Sequence, residues 1–349
     1  MSAVTYLTYE PWPAQLNNTR RCVETMVALA ALLRRTLVMP DRYSRELTDI
    51  FETRVAWPHP STVFDLETLR RSIDVIVEDA SGGEWRDARR LEIDVEPGTA
   101  VLCHPACPTE GTPSYRRLLE FAANRRIFLA LPADHAAYPV IHLQRPFELF
   151  YTFLFLPDAD DRRLKRLMRD TLVFRPEIEA LAARAIAALG VYDAVHIRRG
   201  DFIYQYGDRV DLPSPAIARS LHTLIPARGT LYVATDEADA RYHDALRERF
   251  TLVFLRDVLD VDALPAEVAA CVEQVICAHA RRFVGTSLST FSAYVTRMRG
   301  YRGMSDLGIY VTDGRQDEAD ATARYSWAAS VRAGLPIWAR DYREGWEID

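Results

Sequence analysis

Apolar and polar positions alternate over Val4–Tyr9, as in a half-buried strand. Pro11 and Pro13 then set the path of a loop. From Arg20 to Arg34 the period changes. Val23, Met26, Val27, Leu29, Ala30 and Leu33 form an apolar stripe at helical spacing, with Asn18 or Thr19 as its N-cap. Thr36–Met39 reads as a second strand, stopped by Pro40. This strand–loop–helix–strand unit suits an anion at its loop and helix N-terminus.

The pattern is weaker from 41 to 190. Ser72–Glu78, Ala100–Cys103, Ile127–Leu131 and Val140–Leu143 read as strands, and Ser81–Arg90 as a polar loop. Ser114–Arg125 reads as a helix, and Phe147–Leu156 fits helix or strand. Asp158–Arg169 and Glu177–Leu189 are helical, with Phe174-Arg175-Pro176 breaking the run between them. A crossing between domains is expected near here. It divides the chain into 1–165 and 166–349, with the C-terminal tail packing back on the first domain.

The second half alternates clearly. Strands are expected at Asp193–Ile197, Gly229–Ala234, Leu252–Leu255 and Arg282–Val284. Helices are expected at Pro213–Leu224, Glu237–Arg249, Pro265–His279 and Leu288–Arg299. Such alternation implies a parallel sheet covered on both faces, with ligands beyond the carboxyl ends of the strands.

Three strand ends carry chemistry. His196, Arg198, Arg199 and Asp201 crowd the first, and Gly200 turns the backbone there. With no salt-bridge partner on a regular helix face, these arginines point to a phosphate or pyrophosphate. Thr235-Asp236 ends the second. Gly285-Thr-Ser-Leu-Ser-Thr-Phe-Ser292 follows the third, where hydroxyls and free N–H groups at a helix start can hold phosphate without a lysine. The Arg199-Gly200-Asp201 tripeptide of integrin ligands is a coincidence of spelling.

Composition narrows the classes. The 349 residues are 49% hydrophobic and 26% charged, as in a globular protein of two ordinary domains. Net charge is −6, which argues against bulk nucleic-acid or anionic-membrane binding. Lys165 is the sole lysine, so there is no Walker lysine. No G-x-G-x-x-G is present either, which excludes the usual dehydrogenase fingerprint. Five cysteines fit a reducing compartment better than a disulfide framework. Cys103-His104 with Cys107 lacks a second pair and makes a poor zinc site. The first residues lack a signal-peptide pattern and no apolar run is long enough to span a bilayer, so a cytoplasmic location is expected. The Asn17-Asn18-Thr19 sequon would then stay unmodified.

His196-Ile-Arg198-Arg199-Gly-Asp201-Phe202, Tyr232-Val-Ala-Thr235-Asp236 and Gly285–Ser292 together resemble the successive motifs of the GDP-fucose O-fucosyltransferases. Val272–Ser292 most resembles the protein O-fucosyltransferase 2 branch. Leu16-Asn-Asn-Thr-Arg20 with Thr36–Pro40 resembles the family's opening motif. The resemblance covers 190–300 and 5–40. It implies an α/β fold of the GT-B class, two Rossmann-like domains facing across a cleft, with the nucleotide mainly on the second and the acceptor mainly on the first. It implies inverting, metal-independent transfer of L-fucose from GDP-fucose to a hydroxyl of a peptide, glycan or metabolite, with no cofactor.

Roles carry over by position. Arg198 would hold the β-phosphate and offset charge on the leaving GDP. His196 would touch the ribose or a phosphate. Ser289, Thr290 and Phe291 would bind the pyrophosphate and flank the nucleoside. Glu273 would accept hydrogen bonds from guanine. Asn17 and Asn18 would reach the phosphate or sugar, and Asp201 would orient Arg198. Where the O-fucosyltransferase 2 branch has a glutamate base, this chain has Gln15. Glu10, Glu24 and Asp201 are the substitutes, and the base stays open. Without a signal, a bacterial, cytoplasmic member with an acceptor other than a secreted domain is expected. The alternatives are a nucleotide-sugar-binding protein without transferase activity, or a transferase using another deoxyhexose donor.

Overall fold

The computed structural model describes residues 4–10, 16–41, 59–78, 83–94, 102–103, 129–132, 134–144, 158–207, 211–225, 228–304, 341 and 346–348. The chain divides into two compact units, Met1–Arg175 with Ile348–Asp349, and Pro176–Glu347. The Ser114–Arg125 and Phe147–Leu156 segments lie outside the described residues, as do Gln15, His104 and Cys107.

Among the described residues the first unit holds a five-stranded sheet. Its strands are β1 (Tyr6–Tyr9), β2 (Thr36–Met39), β3 (Val75–Val77), β4 (Arg90–Asp94) and β7 (Val140–Gln144). The order is β3-β2-β1-β7-β4 and every pairing is parallel. A short parallel pair, β5 (Leu102–Cys103) and β6 (Leu129–Ala130), stands apart. Helix α1 (Leu16–Leu33) connects β1 to β2.

Two expectations fail here for physical reasons. Helix α1 starts at Leu16, so Asn17, Asn18 and Thr19 lie inside its first turn and do not cap it. Nearly every residue of this helix from Leu16 to Ala30 is buried, polar ones included, rather than a single stripe. The polar segment 81–90 is also no plain loop. Trp85 is buried in a one-turn helix, α2 (Glu84–Asp87), and the chain runs straight into β4. β4 is an edge strand that alternates as R-L-E-I-D, with Ile93 buried and Glu92 and Asp94 exposed, a half-buried strand that the expectations did not include.

The second unit carries a four-stranded parallel sheet in the order β10-β9-β8-β11. These strands are β8 (Tyr192–Ile197), β9 (Thr230–Thr235), β10 (Thr251–Val253) and β11 (Phe283–Val284). All six residues of β8 are buried. Val195, Ile197, Leu221, Leu231, Val233 and Leu246 form the core beside it, with Phe250 and Val284. Helices α3 (Ser214–Leu224), α4 (Ala266–His279) and α5 (Thr290–Tyr301) follow the predicted crossovers. The helix expected over Glu237–Arg249 is broken into a 3-10 turn (Ala240–His243) and a short α turn (Asp244–Arg247). Local bonds take the backbone first: Thr235 Oγ1 accepts from the Glu237 N–H, and Asp239 from the Arg241 N–H. Near the C-terminus, Trp346 packs on Gly300 and Tyr301 of α5, and Asp341 pairs with Arg297 of the same helix.

Arg299, fully buried on α5, ties down the turn before β11. Its guanidinium donates to the carbonyls of Ala278, Ala280 and Arg281 at 3.2, 2.6 and 3.3 Å. Arg299→Met would leave three carbonyls without that donor and should cost about 2–4 kcal/mol. Scanning calorimetry should show a fall of about 5–15 °C in Tm; a fall under about 2 °C would contradict this account of the turn.

Candidate active site

The parallel register brings three strand ends to one edge. Ile197 of β8 stands beside Thr235 of β9, and Val284 of β11 beside Val195. The residues that follow each strand are therefore neighbours. Thr286 stitches the edge: its hydroxyl accepts from the Arg198 N–H at 2.9 Å and donates to the His196 carbonyl at 2.8 Å.

Arg198 has carboxylate partners, contrary to the expectation of an unpaired cluster. Its guanidinium reaches Asp201 Oδ1 at 2.5 Å and Asp236 Oδ2 at 2.8 Å. Phe202 lies under it, 5.2 Å from guanidinium carbon to ring centroid. Asp201 thus orients Arg198, as expected. Asp236 does more: its Oδ1 accepts from the Arg199 N–H at 2.8 Å. That bond opens a short helix, α6 (Gly200–Tyr206), in a stretch with no predicted element. A Cβ on Gly200 would stand 2.4 Å from Asp236 Oδ2, so only glycine leaves room for this carboxylate.

Arg199 is not part of an anion fork. It is bound by Glu237 and Asp211, both at 2.8 Å, and by the Leu212 carbonyl, and it stacks 4.1 Å from the Tyr242 ring. Burial works against its charge, but the bonds to Glu237 and Tyr242 and the Asp211 carboxylate outweigh it and raise its pKa. Its work is to fasten the loop beyond α6.

His196 is buried, with its ring stacked 4.2 Å from Phe291. Its Nδ1 lies 2.8 Å from Ser292 Oγ, which also accepts the Thr286 N–H at 3.0 Å. Burial, and then the charge of Arg198, push the imidazole down to about 3. His196 is a neutral ring at physiological pH.

The Gly285–Ser292 loop ends in α5, whose helical residues start at Thr290 rather than Leu288. Leu288 has φ +66°, a left-handed geometry that costs a non-glycine residue about 1 kcal/mol or more. Its side chain is buried against Phe202 and Tyr206 of α6, which offsets that cost. Ser289 precedes the helix with no side-chain capping bond. Among the described residues neither the Ser289 nor the Thr290 hydroxyl has a hydrogen-bond partner. Both stand at a helix N-terminus with unsatisfied N–H groups.

Glu273 lies on α4, apart from the strand edge. It accepts the Tyr232 hydroxyl at 3.1 Å and lines a cavity of about 360 Å³ with Thr235 and Phe254. Its surface is only partly covered, yet desolvation at the cavity wall pushes the carboxyl up to about 8; the Tyr232 bond opposes the shift and the Asp236 charge adds to it.

Asn17 and Asn18 belong to the first unit. Asn17 is buried and Asn18 half-buried at the start of α1. Of the base candidates, Glu24 is buried and ion-paired to buried Arg20 at 2.5 Å, which makes it a core residue and not a base. Glu10 is exposed at the end of β1. Sequence reasoning gave no individual role to Asp236, Thr286, Ser292 or Tyr232. The motifs that hold them were visible, but the cross-strand bonds that use them were not. Among the described residues no group of three or more His, Cys, Asp or Glu is placed to hold a metal ion. No described helix is long and apolar enough to cross a membrane.

Residues 6–302 match the family model described as GDP-fucose protein O-fucosyltransferase. The chain is 31% identical to the human GDP-fucose protein O-fucosyltransferase 2 over 146 residues, 40% of this chain and 34% of that protein. The Drosophila melanogaster protein of that name is 33% identical over 132 residues, 35% of this chain and 26% of that protein. The matches therefore span 34% and 26% of these relatives' length. The fold resembles a crystal structure of POFUT1 in complex with GDP, with a TM-score of 0.54 at 16% identity, over 89% of this chain and 99% of that one. A POFUT1 structure with GDP-fucose also gives 0.54. This likeness bears out the α/β fold of the GT-B class.

Two measurements test the site as drawn. Gly200→Ala should push Asp236 off Arg198 and weaken binding of a phosphate-bearing ligand about tenfold, about 1.4 kcal/mol, with the circular-dichroism spectrum unchanged; unaltered affinity would count against Asp236 as the brace. His196 binds its proton less well folded than unfolded. Stability should therefore fall as pH drops from about 6.5 toward 3, and His196→Gln should fall less over that window. Equal slopes in chemical denaturation would contradict a buried neutral His196.

Proposed function

The chain belongs to the GDP-fucose protein O-fucosyltransferase family, and from that premise we propose that it transfers L-fucose from GDP-fucose to a hydroxyl acceptor, with inversion and without a metal. The observation that carries this reading is the edge of the second unit. A single oriented guanidinium, Arg198, stands there with the unpaired hydroxyls of Ser289 and Thr290, and a carboxyl-lined cavity lies in the same unit.

The chemistry follows from those groups. The donor's pyrophosphate takes the Arg198 guanidinium and the N-terminus of α5, where N–H groups and two hydroxyls face it. As the bond from sugar to phosphate breaks, negative charge grows on the leaving GDP. Arg198 is already aimed by Asp201 and Asp236, so it meets that charge without reorganising. His196, neutral, supports Phe291 and offers polar contact to ribose or phosphate without adding charge. Glu273 in its ionised form accepts two hydrogen bonds from guanine, which sets the donor class. The acceptor is a peptide, glycan or small metabolite. Its proton leaves late in a dissociative reaction, which eases the demand on a base; Glu10 is the exposed carboxylate among the described candidates. We place the protein in the cytoplasm: Cys22, Cys271 and Cys277 are buried free thiols, as a reducing compartment keeps them.

A second reading is a nucleotide-sugar-binding protein that transfers nothing. It draws on Glu24 being spent in the core and Asp201 being spent on Arg198. The two separate in one experiment with GDP-fucose. Transfer to an acceptor, or slow donor hydrolysis, that falls at least a hundredfold in Arg198→Ala supports the enzyme. Tight binding with no turnover over a broad acceptor screen supports the binding protein. Turnover of another deoxyhexose donor in preference to GDP-fucose would overturn the fucose assignment.

The Glu273 reading has its own pH signature. Guanine needs the ionised carboxylate, and the free protein holds the acid up to about pH 8. GDP affinity should therefore rise up to tenfold per pH unit between pH 6 and 8, with proton release on binding by calorimetry in buffers of different ionisation heat. Glu273→Gln should flatten that slope. A flat profile in the wild type would detach Glu273 from the base.

A further inference from the structure

We infer that Arg256 reads the O6 and N7 edge of the guanine base opposite Glu273, and so completes the nucleotide selectivity of the donor site. The inference rests on the reading of the Glu273 cavity as the base pocket. Val253 of β10 is in register with Tyr232 of β9, and Tyr232 carries the hydrogen bond to Glu273. Two residues beyond Val253 the chain opens a single helical turn (Leu255–Val258), and Arg256 lies in it. The cavity is thus lined by Glu273 from α4 and by Arg256 from the end of β10, with Phe254 and Val261 as apolar surface and Asp262 as a second carboxylate.

Arg256 differs from the other arginines of this unit's ligand edge. Arg198 and Arg199 are each engaged by two carboxylates. Among the described residues, Arg256 has no hydrogen-bond or ion-pair partner, and it makes none with Asp262. It is the one basic residue lining this cavity. An exposed guanidinium facing a cavity that also holds a carboxyl offers two opposite hydrogen-bonding characters to one planar ligand. Guanine matches both. Its N1–H and 2-amino group donate to a carboxylate, and its adjacent O6 and N7 accept from a planar fork of N–H donors. Adenine turns an amino group toward the arginine and leaves donors facing donors, so the same pair rejects it.

The test is calorimetric titration of the wild type and Arg256→Ala with GDP, 7-deaza-GDP and inosine diphosphate. Arg256 is exposed, so the variant should keep its circular-dichroism spectrum. In the wild type, removing N7 should weaken binding severalfold to tenfold. In Arg256→Ala, GDP should bind about tenfold more weakly, and GDP and 7-deaza-GDP should bind alike. Inosine diphosphate lacks the 2-amino group and should lose the same factor against GDP in both proteins, because that contact belongs to Glu273. Unchanged GDP affinity in the variant would overturn the inference. Equal weakening of GDP and 7-deaza-GDP would also overturn it and move Arg256 to the ribose or phosphates. A wild type that binds no guanine nucleotide would instead remove the reading of the pocket on which the inference rests.

Discussion

At the end of β8 one guanidinium is held between two carboxylates, and much of the second unit is arranged to keep it there. Asp201 comes from the helix that Arg198 itself introduces, and Asp236 from the end of the neighbouring strand. For Asp236 to arrive, the residue after Arg199 must lack a side chain, which makes Gly200 a space requirement rather than a flexible joint. For the strand end to stay in place, Thr286 must bridge it from β11. For Thr286 to be there, the chain before β11 must turn correctly, and buried Arg299 gathers the carbonyls of that turn. The loop past Thr286 accepts a left-handed Leu288 and brings Ser289, buried, and Thr290, half-buried, to the helix start.

The charge balance of this edge follows. Arg198 has one positive charge against two carboxylates, while Glu273 is held largely neutral near pH 7 by its cavity wall. Asp201 and Asp236 aim the guanidinium and also offset part of the charge it would present to a pyrophosphate. Binding is therefore strengthened by the helix N-terminus and by the base pocket, not by Arg198 alone. The neutrality of His196 fits the same logic. A second cation buried beside Arg198 would be repelled by it, and stacking on Phe291 with a bond to Ser292 gives the ring a place without charge.

Much of this was legible in the sequence. The strands at 36–39 and 192–197 and the crossover helices of the second half follow directly from periodicity, since buried parallel strands and amphipathic crossovers leave strong patterns. The clustering of His196, Arg198, Asp201 and the Gly285–Ser292 loop also follows, because strand ends of a parallel sheet share an edge. What periodicity missed was decided by tertiary contact. β4 is the exception: its five residues alternate as R-L-E-I-D, and only their shortness beside a polar segment hid them. The Glu237–Arg249 segment yields to side-chain bonds from Thr235 and Asp239. Arg199 resembles Arg198 in sequence and has a different occupation, because Glu237, Asp211 and Tyr242 reach one and not the other. Glu24 resembles a candidate base until its burial against Arg20 is known.

On the proposed reading, one guanidinium, one helix start and one carboxyl-lined cavity of the second unit form a single GDP-sugar site. A crystal structure of the protein soaked with GDP tests it most directly. A single site requires the β-phosphate on Arg198, with pyrophosphate oxygens at Ser289 and Thr290 and the guanine edge on Glu273. GDP bound elsewhere, or at this edge with its base pointing away from Glu273, would contradict it.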